Sequence, residues 1–185
     1  MTPIESTNWR FRLATMGDVD GIRALIEASV RGLSEGYYTA AQIEWSVGTV
    51  LGLDTQLILD GTYFVVEAGG GAGLAASGGW SFRRTLCGGD GAPNREDSRV
   101  YPGSEAAKIR AIFVHPDLAR RGLGSAVLAY VEAAAEEAGF RRFEMGSTLP
   151  GQPLYRLRGY VEEETFLIPL GNGEALPVVR MVKAI

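Results

Sequence analysis

A chain of 185 residues, 46% hydrophobic and 22% charged, has the size and balance of one globular domain with a sizeable core. A net charge of −4 argues against the basic face that nucleic-acid binding needs, and no apolar run approaches the roughly 20 residues of a membrane span. The single cysteine, Cys87, rules out an intrachain disulfide; with no signal-peptide pattern in Met1 to Asn8, a reducing, cytoplasmic setting is expected.

Taken in chain order, Trp9 to Leu13 alternates as a short strand. Thr15 with Asp18 three residues on is close to a capping box, and Ile22, Leu25, Ile26, Val30 and Leu33 then form a helical stripe that Gly36 interrupts. Thr39 with Gln42 signals a second, short helix through about Val47. Thr62 to Ala68 and Leu74 to Ser81 read as paired strands around the glycine run 69–73; no helix opens after that run, so it is a turn and not a phosphate loop. Gly78 and Gly79 mark a bulge or a close backbone approach. Arg83 to Ser104 has no periodicity and is expected to be a long loop, acting as a flap over a site.

Lys108 to Val114 is strand-like, and Pro116 stops its ladder. Leu123, Val127, Tyr130, Val131, Ala134 and Ala138 form one face of a helix, with Gly139 at the left-handed cap position. Arg141 to Ser147 is another strand. Tyr160 to Pro169 and Leu176 to Val182 form a terminal hairpin around residues 171–173, with Pro177 at an edge or strand start. The order βααβββαβαββ predicts a single α/β domain over residues 1–185, a mixed sheet with helices on both faces.

The chemistry concentrates in Ala119-Arg120-Arg121-Gly122-Leu123-Gly124-Ser125, between strand and helix. A helix N-terminus leaves backbone N–H groups without carbonyl partners and carries about half a positive charge. Glycines at 122 and 124 let a phosphate approach those amides, and Arg120 and Arg121 add charge beside them. The stretch suits a pyrophosphate. It is not a P-loop, because no Gly-Lys-Ser/Thr follows, and the third glycine of a dinucleotide fingerprint is absent.

Elsewhere, a Cys87–His115 catalytic pair is disfavoured, since His115 precedes Pro116 at a strand end. Asp54, Asp60, Glu67, Asp90 and Glu144 read as solvated surface carboxylates. Arg83 and Arg84, following Trp80 at a strand end, have the geometry to clamp an anionic group on a ligand.

Together with Thr148-Leu-Pro-Gly-Gln-Pro-Leu-Tyr155-Arg-Leu-Arg-Gly159-Tyr160, the loop resembles the GNAT superfamily of N-acetyltransferases. The family loop is Gln/Arg-x-x-Gly-x-Gly/Ala; Gly122 and Gly124 match, and Ala119 stands at its first position. Tyr155 precedes Gly159-Tyr160 as the family's acidic tyrosine precedes its Gly-Phe/Tyr, and Thr148 stands where an Asn is frequent. The run from Thr148 to Tyr155 is also similar to one bacterial subgroup. The resemblance implies a mostly antiparallel sheet, acetyl-CoA as cosubstrate and no metal.

It further implies donor contacts from the backbone of Ile112, Phe113 and Val114 and from Arg120 to Ser125, with Tyr155 protonating the leaving thiolate. Tyr37, Tyr38, Trp45, Trp80, Arg83 and Arg84 are the corresponding candidates for the acceptor pocket. The acceptor would be an amine of a small molecule or a protein, and a homodimer is left open. The alternatives are a non-catalytic acyl-CoA-binding sensor and an interaction domain without a ligand.

Overall fold

The computed structural model describes residues 9–71, 73–93 and 95–185; the N-terminal stretch read above, Ala72 and Asn94 lie outside them. Strands β1 (Arg10–Leu13), β2 (Tyr63–Glu67), β3 (Leu74–Ser81), β4 (Ala107–Val114), β5 (Arg142–Thr148), β6 (Val161–Pro169) and β7 (Ala175–Ala184) build one seven-stranded sheet in the order β1-β2-β3-β4-β5-β7-β6. Every neighbouring pair is antiparallel except β4 and β5.

Among the described residues five α-helices cover it: α1 (Val19–Leu33), α2 (Ala40–Ser46), α3 (Thr55–Leu59), α4 (Leu123–Glu137) and α5 (Gln152–Leu157). The fold class matches the expected mixed, mostly antiparallel sheet, and the element order differs by one helix. α3 was not anticipated: five residues are too few to display a stripe, and its N-cap Asp54, accepting from the Gln56 N–H, looks in sequence like a surface acid.

Alternation within the strands divides the core in two. Phe64, Val66 and Ile109 pack with Leu123, Val127 and Val131 of α4, and Tyr63 and Val65 pack on the other face with Ile22, Ile26 and Val30 of α1. The glycine pair in β3 is a close approach. A Cβ at Gly78 would stand 2.5 Å from Val127 and 2.7 Å from Ile112, so α4 lies directly on the β3 backbone. Both predicted capping boxes form, at Thr15/Asp18 and at Thr39/Gln42.

The segment after β3 is pinned along its length. Arg84, Thr85 and Val100 donate backbone N–H groups to Ser98, Glu96 and Phe82, folding it into an irregular hairpin. The Gly89 and Asp90 amides bond to the carbonyls of Val50 and Leu53. No helix among the described residues is long and apolar enough to cross a membrane.

Candidate active site

The site begins where the sheet comes apart. β4 and β5 pair only at Ala107/Phe143 and Lys108/Glu144, and beyond that the edge of β4 from Ile109 to Val114 has no ladder partner on the β5 side. A buried ion-pair cluster holds the last paired rung: Lys108 and Arg180 both bond to Glu144. Burial alone would raise the Glu144 carboxyl, but the hydrogen bonds from Lys108 and Arg180 outweigh it and hold the group below its usual range.

Immediately past that rung β4 bulges. Ser77 and Gly79 of β3 face Phe113 and Arg110, so β4 carries one residue more than its partner over the same length. Ala111 absorbs the difference at φ 55°, a left-handed conformation that costs a non-glycine residue roughly 1–2 kcal/mol. The Ser77 hydroxyl, donating to the Ala111 carbonyl at 3.3 Å, helps to hold it. A cavity of about 220 Å³ fills the opening, lined on one side by β4 and on the other by β5, the turn after it and α5.

At one end of β4, α4 starts from Gly122, whose φ of 81° ends a loop in which Arg120 is also left-handed at φ 63°. Such reversals turn successive amides toward one concavity. The first helical bond is Ala126 N–H to the Gly122 carbonyl, and no backbone N–H from Arg120 to Ser125 donates to a described residue. Gly124 keeps this edge against the cavity wall, since a Cβ there would meet Leu154 at 3.2 Å and Val114 at 3.6 Å.

Arg120 and Arg121 are exposed and make no ion pair among the described residues. Arg158, which the sequence reading did not assign to this loop, reaches the Ser125 carbonyl at 3.3 Å and adds a third guanidinium. Unused amides, glycine access and positive charge together fit a pyrophosphate.

Tyr155 lies in α5 with its ring edge-on to Tyr160, centroids 5.9 Å apart. The α-carbon of Gly151 presses on that ring, where a Cβ would stand 2.8 Å from Cε2, which gives the Leu-Pro-Gly turn before α5 its local reason. Tyr160 is held in turn by donating to buried Glu132 at 2.8 Å. The Tyr155 hydroxyl makes no hydrogen bond among the described residues. Because no fully buried polar side-chain atom lacks a partner, this hydroxyl is open to the cavity that Tyr155 lines. Burial pushes its phenol above the usual value, so the group is a proton donor throughout the neutral range.

The acceptor-side candidates from the sequence separate. Trp80 is a core residue, edge-on to Phe82 and Phe140. Arg83 is held by Asp60 at 2.6 Å, and Arg84 bonds to Glu105. None of the three lines the cavity: Trp80 packs inward, and the two guanidiniums turn to acids on neighbouring segments. Tyr38 is a clasp, donating to the Pro177 carbonyl at 2.8 Å and accepting from the Leu149 N–H at 2.9 Å. Tyr37 is exposed, and the Trp45 ring packs over Gly171.

Of the carboxylates read as solvated, Asp54, Asp60 and Glu144 need the same correction, whereas Glu67 is half-buried and Asp90 is exposed as expected. Asp54 is 2% exposed and bonds to Arg110 at 2.8 Å and Arg95 at 3.0 Å. Asp60 and Glu144 are in the ion pairs above, Glu67 pairs with Arg12, and Asp90 accepts from Thr55. The expected flap contributes Leu86, Cys87 and Gly88 to the cavity, alongside Ser29 and Ser34 of α1 and its C-cap. Cys87 packs on Gly146, and burial raises its thiol. His115 caps the turn before the loop, its Nδ1 accepting from the Asp117 N–H. Among the described residues no group of His, Cys, Asp or Glu is placed to hold a metal ion.

A splayed β4/β5 pair next to an amide-rich helix start agrees with the family model "Acetyltransferase (GNAT) family", which matches residues 33–160. The chain belongs to the GNAT acetyltransferase family. Membership makes it an acyltransferase with acetyl-CoA as cosubstrate, and the donor-end geometry fits that molecule.

Solved GNAT structures share the architecture at low identity. A GCN5-related N-acetyltransferase from Rhodopseudomonas palustris superposes with TM-score 0.68 and 18% identity, over 100% of this chain and 99% of the other. The PaiA N-acetyltransferase from Thermoplasma acidophilum, solved with coenzyme A, gives 0.66 and 12% over 96% and 99%. A mosquito arylalkylamine N-acetyltransferase like 5b gives 0.61 and 12% over 96% and 100%. The curated proteins contain no sequence match to the chain.

Proposed function

We propose that this GNAT protein moves an acetyl group from acetyl-CoA directly to an amine in a ternary complex, with Tyr155 as the proton donor. One observation carries the reading. The unpartnered β4 edge, the wall formed by Leu154 and Val114 beneath the amide loop, and the unbonded Tyr155 hydroxyl meet in one cavity. The cosubstrate supplies an activated thioester. The amides from Arg120 to Ser125 would hold its phosphates, and the free edge of β4 around Ile112, Phe113 and Val114 would orient its arm and offer an N–H to the carbonyl oxygen. As the C–N bond forms and the C–S bond breaks, Tyr155 would donate its proton to the departing sulfur, and the proton shed by the acylated nitrogen would return the phenol to its neutral form, giving amide and CoA thiol.

Direct transfer is favoured over an acyl-enzyme because the cavity thiol, Cys87, is pushed toward its protonated form and has no base beside it. A lysine-like amine, mostly protonated at pH 7, needs roughly 4–5 kcal/mol to become nucleophilic, so the neutral fraction of the acceptor reacts.

The test has two readings on the same sample. Acetyl-CoA at about 100 times its Kd should stabilise the protein by about 2.7 kcal/mol, a melting shift of roughly 5–10 °C for this size. Thiol release should follow on adding an amine. A shift without release for any amine supports a sensor, and no shift refutes donor binding.

A further inference from the structure

The cavity lining contains only two charged residues, Arg110 and Asp54, and hydrogen-bond capacity is distributed unequally between them. Arg110 is 5% exposed. Its Nη1 donates to the Thr85 carbonyl and its Nη2 to Asp54 and the Gly88 carbonyl. A guanidinium has five N–H donors, so two remain, one of them on Nε, which has no partner among the described residues. Since no sealed polar side-chain atom is unpartnered, Nε is open to the space that Arg110 lines.

Asp54 is nearly saturated by contrast: it accepts from Arg110, from Arg95 and from the Gln56 N–H. It has little left with which to hold an ammonium group. Ser29 and Ser34, which line the same cavity, are 6% and 3% exposed, and neither hydroxyl makes a hydrogen bond among the described residues. The charged part of the lining therefore offers spare donors on Arg110 and little spare acceptor capacity on Asp54, with two hydroxyls able to donate, inside otherwise apolar walls such as Val30, Leu51 and Leu86.

We infer that the acceptor is a small amine with an apolar body and a carboxylate, and that the carboxylate is held by Arg110 with help from the Ser29 and Ser34 hydroxyls. The inference rests on the acetyltransferase reading of this same cavity. A buried guanidinium is the side chain best suited to a carboxylate, and its two remaining N–H groups stay without an acceptor until such an anion arrives. A second ammonium on the substrate would meet Arg110 with no free carboxylate to balance it. The anionic acceptor anticipated from Arg83 and Arg84 thus has its counterpart at a different arginine.

The test compares amines that differ only in the carboxylate: L-phenylalanine with 2-phenylethylamine, and L-leucine with 3-methylbutylamine. The full chain should favour the carboxylated member of a pair by at least about 100-fold in kcat/KM, because the amine alone leaves Arg110 unmatched. In Ser29→Ala and in Arg110→Lys that preference should fall by at least about tenfold.

Calorimetry on the CoA-saturated protein gives a readout independent of turnover and of variant folding. N-acetyl-L-phenylalanine should bind, and N-(2-phenylethyl)acetamide at least tenfold more weakly. Equal or better use of the plain amines, binding of both amides alike, or acetylation of no carboxylated amine by protein that acetyl-CoA stabilises would each overturn the carboxylate anchor. Acetyl transfer itself falls separately, through a melting shift with no thiol release for any amine, plain or carboxylated.

Discussion

Removing one oxygen from Tyr155 tests the proposed chemistry with little disturbance to the fold. Tyr155→Phe keeps the ring against Tyr160 and under Gly151, and the lost hydroxyl leaves no orphaned partner because it bonds to no described residue. The stability change should stay within about 0.5 kcal/mol, or roughly 1–2 °C in Tm for a chain of this length. A positioned acid contributes about 10²–10⁴ in rate, equivalent to about 2.7–5.4 kcal/mol of barrier.

The kinetic loss should therefore exceed the stability loss at least fivefold in free energy. The assay is thiol release at saturating acetyl-CoA, with Tm and acetyl-CoA affinity measured on the same preparation. Affinity should remain within a few-fold, because the proposed donor contacts are backbone amides elsewhere. Since burial raises the phenol, the wild type should show no alkaline loss of rate attributable to this group below about pH 10. An unchanged kcat under conditions where chemistry limits the rate would refute the assignment, and a Tm drop proportionate to lost activity would return Tyr155 to the core.

Other predictions concern the scaffold. Gly124→Glu should abolish the acetyl-CoA melting shift in a folded protein, by placing a carboxylate among the amides of the loop and crowding Leu154; a retained shift would move the phosphate site elsewhere. Gly78→Val should cost at least about 1–3 kcal/mol in urea unfolding, since even a Cβ stands 2.5 Å from Val127, and the displaced β4 should weaken acetyl-CoA binding. Glu144→Gln should cost on the order of 3–5 kcal/mol at pH 7 by leaving Lys108 buried without its counter-charge. Because the folded-state pKa of Glu144 lies below the unfolded value of about 4.3, that stabilisation is complete above pH 4.3 and fades as pH falls toward the folded value. The gap between wild type and Glu144→Gln should accordingly narrow as pH falls below about 4.3, and a constant gap would remove the ion pair as its cause.

What could be read beforehand was what is locally encoded. Thr15/Asp18, Thr39/Gln42 and Gly139 are signals within one turn of chain, and the helices they bound are where they were expected. The free amides of the loop from Arg120 to Ser125 were legible because glycine spacing exposes backbone. The acceptor end was not, because it depends on pairs distant in sequence. Arg110 meets Asp54 across 56 residues, and within a strand it looks like any charged residue. Arg83 and Arg84 looked like a clamp through being adjacent, but Asp60 and Glu105 take them apart. The β4 bulge left only Ala111 as a trace, and alanine does not advertise a positive φ.

The amide loop at the start of α4 has a consequence for how such a protein can diverge. A donor subsite made from main-chain N–H groups is indifferent to most side-chain replacements, provided the residues at 122 and 124 stay small; alanine can stand at position 119 without removing one amide. The proposed acceptor wall is assembled instead from side chains on β4 and on three other segments, the end of α1, residues 50–54 and residues 86–88. Drift in those segments would retune which amine enters while the thioester end keeps working. One cosubstrate and many acceptors is then a natural history for this architecture, and the Arg110–Asp54 pair is the part of it to follow from one relative to the next.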